Sequence, residues 1–172
     1  VYTSDLVVQY DAKSNISLAD KKANEEVTKK LFDMTQELAY LVYEVDETIK
    51  AAEAAKAKSS SAAKTVTPFI NELNKLKETL VVTTGDNYVG AGEPQLREDL
   101  AELYSKVAST FYKPSAAEMD NLSALSDRMQ NAKATLKKTK EKHNKKLNEV
   151  LANNKLEPII LKPFDEFLKS AQ

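Results

Sequence analysis

Apolar residues recur every three or four positions along most of this chain. Ala23, Val27, Leu31, Met34, Leu38, Leu41, Val45 and Ile49 fall on one face of a helix. Ser17 suits the N-cap of that helix, Asp20 follows in its first turn, and Ile16 is placed to staple the start. The run thins into alanines, and Lys58-Ser59-Ser60-Ser61 reads as a turn. A second helix is predicted over 64–82, carried by Val66, Phe69, Ile70, Leu73, Leu76 and Leu80, with Pro68 assigned to its first turn. A third is predicted over 95–112 from Leu96, Leu100, Leu103, Val107 and Phe111. Pro114 stops it, and Ser115 with Glu118 forms a capping box for a fourth helix running to about Asn154. Leu122, Met129, Leu136, His143 and Val150 recur there every seven residues. Met119, Ser126, Ala132/Lys133, Lys140 and Leu147 supply a weaker partner row. A seven-residue repeat implies a gentle left-handed supercoil.

Glycine and proline explain the lengths. Gly85, Gly90 and Gly92 are the only glycines, and neither residue type occurs from Val1 to Thr67 or from Ser115 to Glu157. Two helices of nearly forty residues, each ~60 Å long, are therefore permitted. The expected fold is all-α: an elongated up-and-down bundle in which the two long helices flank a middle layer of two shorter ones, broken at 83–94; a reversal of direction at that loop, giving four helices, is the alternative, and helix lengths slightly favour the broken middle. Residues 1–16 differ, since Leu6, Val7, Val8 and Tyr10 favour strand. They read as an extended link from an upstream domain, and 17–172 as the bundle domain. The apolar tail Leu156–Phe164 and the amphipathic turn after it are expected to fold back and cap one end of the bundle.

Composition removes several function classes. The 172 residues contain no cysteine, which excludes disulfides and thiolate chemistry, and the net charge of -1 draws neither nucleic acid nor anionic lipid. No apolar run approaches the ~20 residues of a membrane helix. His143 is the single histidine, and Glu141-Lys142-His143 lacks the Glu-x-x-His spacing of a helical metal site. It is expected to be a partly buried structural residue. No catalytic, cofactor-binding or metal-binding residue is assigned.

The extended 1–16, the tail 156–169 and the loop 83–94 are the surfaces expected to contact something, and the lysine stretch and the rim tyrosines are candidates beside them. The lysines of 133–146, among them Lys137, Lys138 and Lys145, form a dense basic stretch without arginine or aromatic residues. Parallel long helices would bring Glu37, Glu44, Asp46 and Glu47 level with it. The loop 83–94 carries Tyr88 and Val89. Tyr40, Tyr43, Tyr104 and Tyr112 sit at helix rims, where rings bury and hydroxyls stay wet.

Three stretches carry a family resemblance. They are the extended segment ending Tyr10-Asp11 before Ile16-Ser17-Leu18-Ala19-Asp20, then Leu100-Ala101-Glu102-Leu103-Tyr104-Ser105-Lys106-Val107, then Lys113-Pro114-Ser115-Ala116-Ala117 with Leu122-Ser123-Ala124-Leu125. In this order the chain resembles the helical C-terminal region of secreted sortilin-type (BNR-repeat) β-propeller proteins, glycosyl-hydrolase-like proteins of Bacteroidetes-type bacteria. The family's usual Asp-Pro-Arg after the strand is Asp11-Ala12-Lys13 here. The resemblance implies an exported, periplasmic or cell-surface protein whose chemistry resides in an upstream propeller.

The expected function is a non-catalytic helical accessory domain that docks on, or spaces, that propeller or another protein. A free-standing, self-associating bundle is one rival reading. A bundle binding an anion, lipid or nucleic acid on the 133–146 lysines is another.

Overall fold

The computed structural model describes residues 3–7, 9, 11, 13–83 and 93–170. It contains five helices: α1 (Leu18–Lys56), α2 (Ser60–Leu80), α3 (Leu96–Ala108), α4 (Ala116–Asn153) and α5 (Phe164–Ser170). No strand occurs among the described residues, and Leu6 and Val7 are exposed. The strand expected in 1–16 is therefore not formed in the part that is described.

The caps explain most boundaries. The Ser17 hydroxyl accepts from the Asp20 N–H at 3.1 Å and opens α1. Ser59 does the same for Ala62 at 3.1 Å, so α2 starts four residues earlier than its apolar row suggests. That puts Pro68 in the interior of α2 rather than its first turn. Pro68 faces solvent, and the buried Val66, Phe69, Ile70 and Leu73 hold the helix through the missing N–H. At α4, Ser115 N–H and hydroxyl both donate to Glu118 Oε2, at 2.7 and 2.8 Å, and Glu118 N–H returns to Ser115 Oγ at 3.3 Å. Those bonds, backbone first, hold the Glu118 carboxyl below its ordinary range.

The core is one contiguous cluster along α1, α2, α3 and α4, with Phe69, Leu31, Leu73, Leu80 and Leu100 at its centre. Its register departs from the apolar pattern at three places. On α1 the buried positions before Leu31 are Lys21 and Asn24, and Thr48 is buried where Ile49 is only half-buried. Asn24 and Thr48 are positions that a strict three-four alternation through Leu31 requires, and they carry polar residues; Lys21 lies one step of three before Asn24. On α4 the second buried row is Leu125, Ala132 and Thr139, not Met119, Ser126, Lys133 and Lys140. Met119 is exposed, and Lys133 and Lys140 flank the seam instead. After His143 the steps lengthen to four, through Leu147 and Leu151, so the seven-residue repeat ends there. Finally, α3 stops at Ala108, which leaves Phe111 and Tyr112 exposed rather than on a helix face.

Cross-helix contacts give the topology. Glu37 pairs with Lys133 and Glu44 with Lys140, the same 96-residue offset each time, so α1 and α4 run parallel. Glu72 meets Lys142 and His143, whereas Leu80 lies near Ala132, so α2 runs antiparallel to α4. Asp99 pairs with Arg128, and the other end of α3 lies by Asn121 and by Asn24 of α1. The middle layer is thus α2 followed by α3 in the same direction, between two parallel long helices. The tail does not cap the end alone. Leu156 and Ile159 rest on the core, and α5 then lies along the side of α1.

Candidate interaction surfaces

The lysine stretch resolves into tethered and free parts. Lys133 and Lys140 face α1 and pair with Glu37 and Glu44, while Lys142 turns to α2 and pairs with Glu72. The Lys140–Glu44 pair is the better shielded, with side chains 24% and 21% exposed. Asp46 pairs instead with Lys77 of α2, and Glu47 with Lys50 of its own helix. Lys137, Lys138 and Lys145 are exposed and have no ion-pair partner among the described residues. These outward lysines are spread along a helix face and converge on no common point. Tyr88 and Val89 lie outside the described residues.

His143 is buried against the ring of Phe69, centroids 5.0 Å apart and nearly parallel. Its Nε2 lies 3.3 Å from Glu72 Oε1 but off the line of a hydrogen bond, so it is a close contact without an aligned donor. Glu72 is held below the ordinary carboxylate range, first by the hydrogen bond from Lys142, against some desolvation, and then by His143. No cluster of three or more metal-ligating side chains occurs among the described residues. Beside this group an open groove of about 510 Å³ runs between α2 and α4, with Lys75, Thr79, Gln95, Arg128 and Asn131 on its walls. Arg128 there is already tied to Asp99.

One end of the bundle is different in character. Because α1 and α4 are parallel, both begin there, and α3 ends there. Asn24 joins them: its Nδ2 donates to Val107 O at 3.0 Å and to Tyr112 O at 3.1 Å. Val107 O lies in the last turn of α3, where no i+4 helical N–H follows, and Asn24 adds to the Thr110 N–H it already accepts, so α1 caps α3 from the side. Thr28 Oγ1 approaches Asn24 Oδ1 at 3.4 Å and fixes the amide's orientation. The connector so held displays Phe111 and Tyr112, 63% and 67% exposed, at the end where exposed Leu18 and Met119 lie in the first turns of α1 and α4. Asp11 lies at the same end, where Lys21 Nζ is 3.5 Å from its carbonyl oxygen.

The rim tyrosines divide. Tyr104 packs against the core, Tyr112 is exposed, and Tyr40 and Tyr43 bind the tail. Burial, then the Glu44 carboxylate, then Tyr43, raise the Tyr40 hydroxyl above its ordinary value and keep it a donor. The sequence reading missed Asn24 and the Lys162 backbone. Counting the register back from Leu31 would have placed Asn24 in the seam; nothing local marks Lys162.

No helix among the described residues is long and apolar enough to cross a membrane. No family model, curated protein or solved structure matches the chain.

Proposed function

We propose that this bundle is a non-catalytic docking domain that binds, through the end where α1 and α4 begin, a domain preceding it in a longer exported polypeptide. The observation that carries this reading is the exposed set Leu18, Phe111, Tyr112 and Met119 at the end where Asp11 meets Lys21. Large apolar side chains gathered at one end of a charged rod mark a contact surface. The partner is the one the family resemblance suggests, a β-propeller. The role is mechanical: parallel helices of 39 and 38 residues make a stiff spacer ~60 Å long. Aromatic rings on the connector supply the anchor, and Asn24 fixes the connector to the rod so that the rings are presented in one orientation.

The test extends the reading frame upstream of Val1 and produces the preceding region separately from the 172-residue chain. Association is measured by calorimetry with the native chain and with Phe111→Ser/Tyr112→Ser. Binding that weakens by about tenfold or more in the double variant supports the reading. Binding indifferent to both residues, or no folded domain upstream, overturns it.

A further inference from the structure

The tail meets α1 in a manner that resembles a receptor holding a peptide. Lys155 adopts φ 54, a left-handed turn after α4, and Leu156 N–H closes it on Leu151 O at 2.9 Å. The chain then passes back along α1 as far as Lys162. There Tyr40 Oη donates to Lys162 O at 2.8 Å, and Lys162 N–H donates to Tyr43 Oη at 3.1 Å. Two side chains one turn apart thus engage both backbone groups of a single residue. Pro163 follows and has no N–H to satisfy. Phe164 and Phe167, on one side of α5, complete the contact. Phe164 stands edge-on to Tyr40 at 5.3 Å, and Phe167 stacks on Tyr43 at 5.0 Å.

Outside these contacts α5 has little support. It is seven residues long, has no buried residue and packs on α1 alone among the helices. A helix so short is not stable by itself. The aromatic contacts with Tyr40 and Tyr43 therefore make the helix as well as the attachment. None of these contacts distinguishes the chain's own segment from an identical one on another molecule. Residues 154–160, between α4 and the docked segment, can span up to ~23 Å when extended, once Leu156 and Ile159 leave the core.

We propose that the Tyr40–Tyr43 face of α1 is a docking site for a Lys-Pro-Phe-x-x-Phe segment, and that it exchanges its own residues 161–167 for those of a second copy. Every molecule carries both the site and its ligand. A reciprocal exchange about a two-fold axis therefore fills both sites, and what it gives up is the packing of Leu156 and Ile159 on the core where the connector straightens. The tethered segment competes at an effective concentration of ~1 mM, so the exchanged form gains ground only at high protein concentration.

A labelled peptide of residues 155–170 tests the site by fluorescence anisotropy. The receptor is the full chain carrying Phe164→Ala/Phe167→Ala, which disables its own tail. Saturable binding is expected there, about tenfold or more weaker on the native chain, and lost when Tyr40→Phe/Tyr43→Phe is added. If the alanine variant loses helical circular dichroism, Lys162→Pro, which removes only the N–H given to Tyr43, serves as receptor. Light scattering of the native chain toward millimolar concentration should show a dimer that Phe164→Ala/Phe167→Ala abolishes. A folded, tail-disabled receptor that ignores the peptide overturns the site. Peptide binding with a native chain that stays monomeric overturns the second copy as occupant.

Discussion

Asn24→Ala is the substitution that bears most directly on how the bundle is tied together. The residue is 6% exposed, and its amide bridges Val107 O and Tyr112 O. A hydrogen bond contributes about 1 kcal/mol net, and a buried acceptor left without a partner costs about 1–3 kcal/mol. The two carbonyls are not equally exposed to that cost. Val107 O also accepts from Thr110 N–H at 3.3 Å, and the Tyr112 residue is largely in solvent. The expected loss is therefore about 1.5–2.5 kcal/mol rather than the sum of the maxima. For a chain of this length that lowers Tm by about 3–10 °C. Asn24→Asp separates hydrogen bonding from packing, because it keeps the shape but aims carboxylate oxygens at two carbonyls. It should be less stable than Asn24→Ala. Urea unfolding followed by circular dichroism at 222 nm reads both, with an unchanged m-value confirming that the same transition is compared. An Asn24→Ala variant within about 0.5 kcal/mol of native, or an Asn24→Asp variant more stable than the alanine one, would refute the bridging role.

Pro68→Ala should stabilise the chain by about 1–3 kcal/mol, since it restores an N–H inside α2 at a solvent-facing position; an unchanged urea midpoint would show that α2 already relaxes around the proline. Glu72 has a lowered pKa in the folded state. Its contribution is present above the ordinary value of 4.5 and is lost as pH falls through the folded value. The stability gap between native and Glu72→Gln should therefore close on acidification below about pH 4.5, and a gap that widens contradicts the assignment. A double-mutant cycle on Glu44 and Lys140 should give a coupling of about 0.5–1 kcal/mol that shrinks in high salt. Replacing Lys137, Lys138 and Lys145 together by Gln should leave stability within about 0.5 kcal/mol, as measured by the urea midpoint.

The long helices were legible because glycine and proline are confined to so few positions, and because Ser17 and Ser115 are strong caps. Helix lengths only slightly favoured a parallel pairing of α1 and α4 over a reversal at 83–94, and the Glu37–Lys133 and Glu44–Lys140 pairs decide for it. What misled was residue identity at the seam. Lys21, Asn24, Thr48 and Thr139 occupy core positions, and for Asn24 and Thr48 the polar groups find backbone partners: Thr48 Oγ1 donates to Glu44 O at 2.7 Å. A hydrophobic pattern cannot register a polar residue whose partner lies in a distant helix, as Asn24 does in α3. Phe111 was misplaced for the same reason, because Asn24 helps to end α3 three residues before it. Pro68 shows the opposite error, in which a strong local preference yields to burial on the far side of the helix. The docking of the tail depends on the backbone of Lys162, which no side-chain pattern advertises.

The parallel arrangement of α1 and α4 has a kinetic consequence. Partners in α1 and α2 are close in sequence, as Asp46 and Lys77 are, so that hairpin can form early with little loop-closure cost. Glu37 and Lys133, in contrast, are 96 residues apart. Their seam can close only after α2 and α3 have folded back to return the chain to its starting end. Folding should therefore proceed from the α1–α2 hairpin, with α4 zipping into place last. Substitutions between α1 and α2 would then slow folding, and those along the α1–α4 seam would mainly hasten unfolding. A rod built this way loosens first along its most distant pairing, while the hairpin that began it still stands.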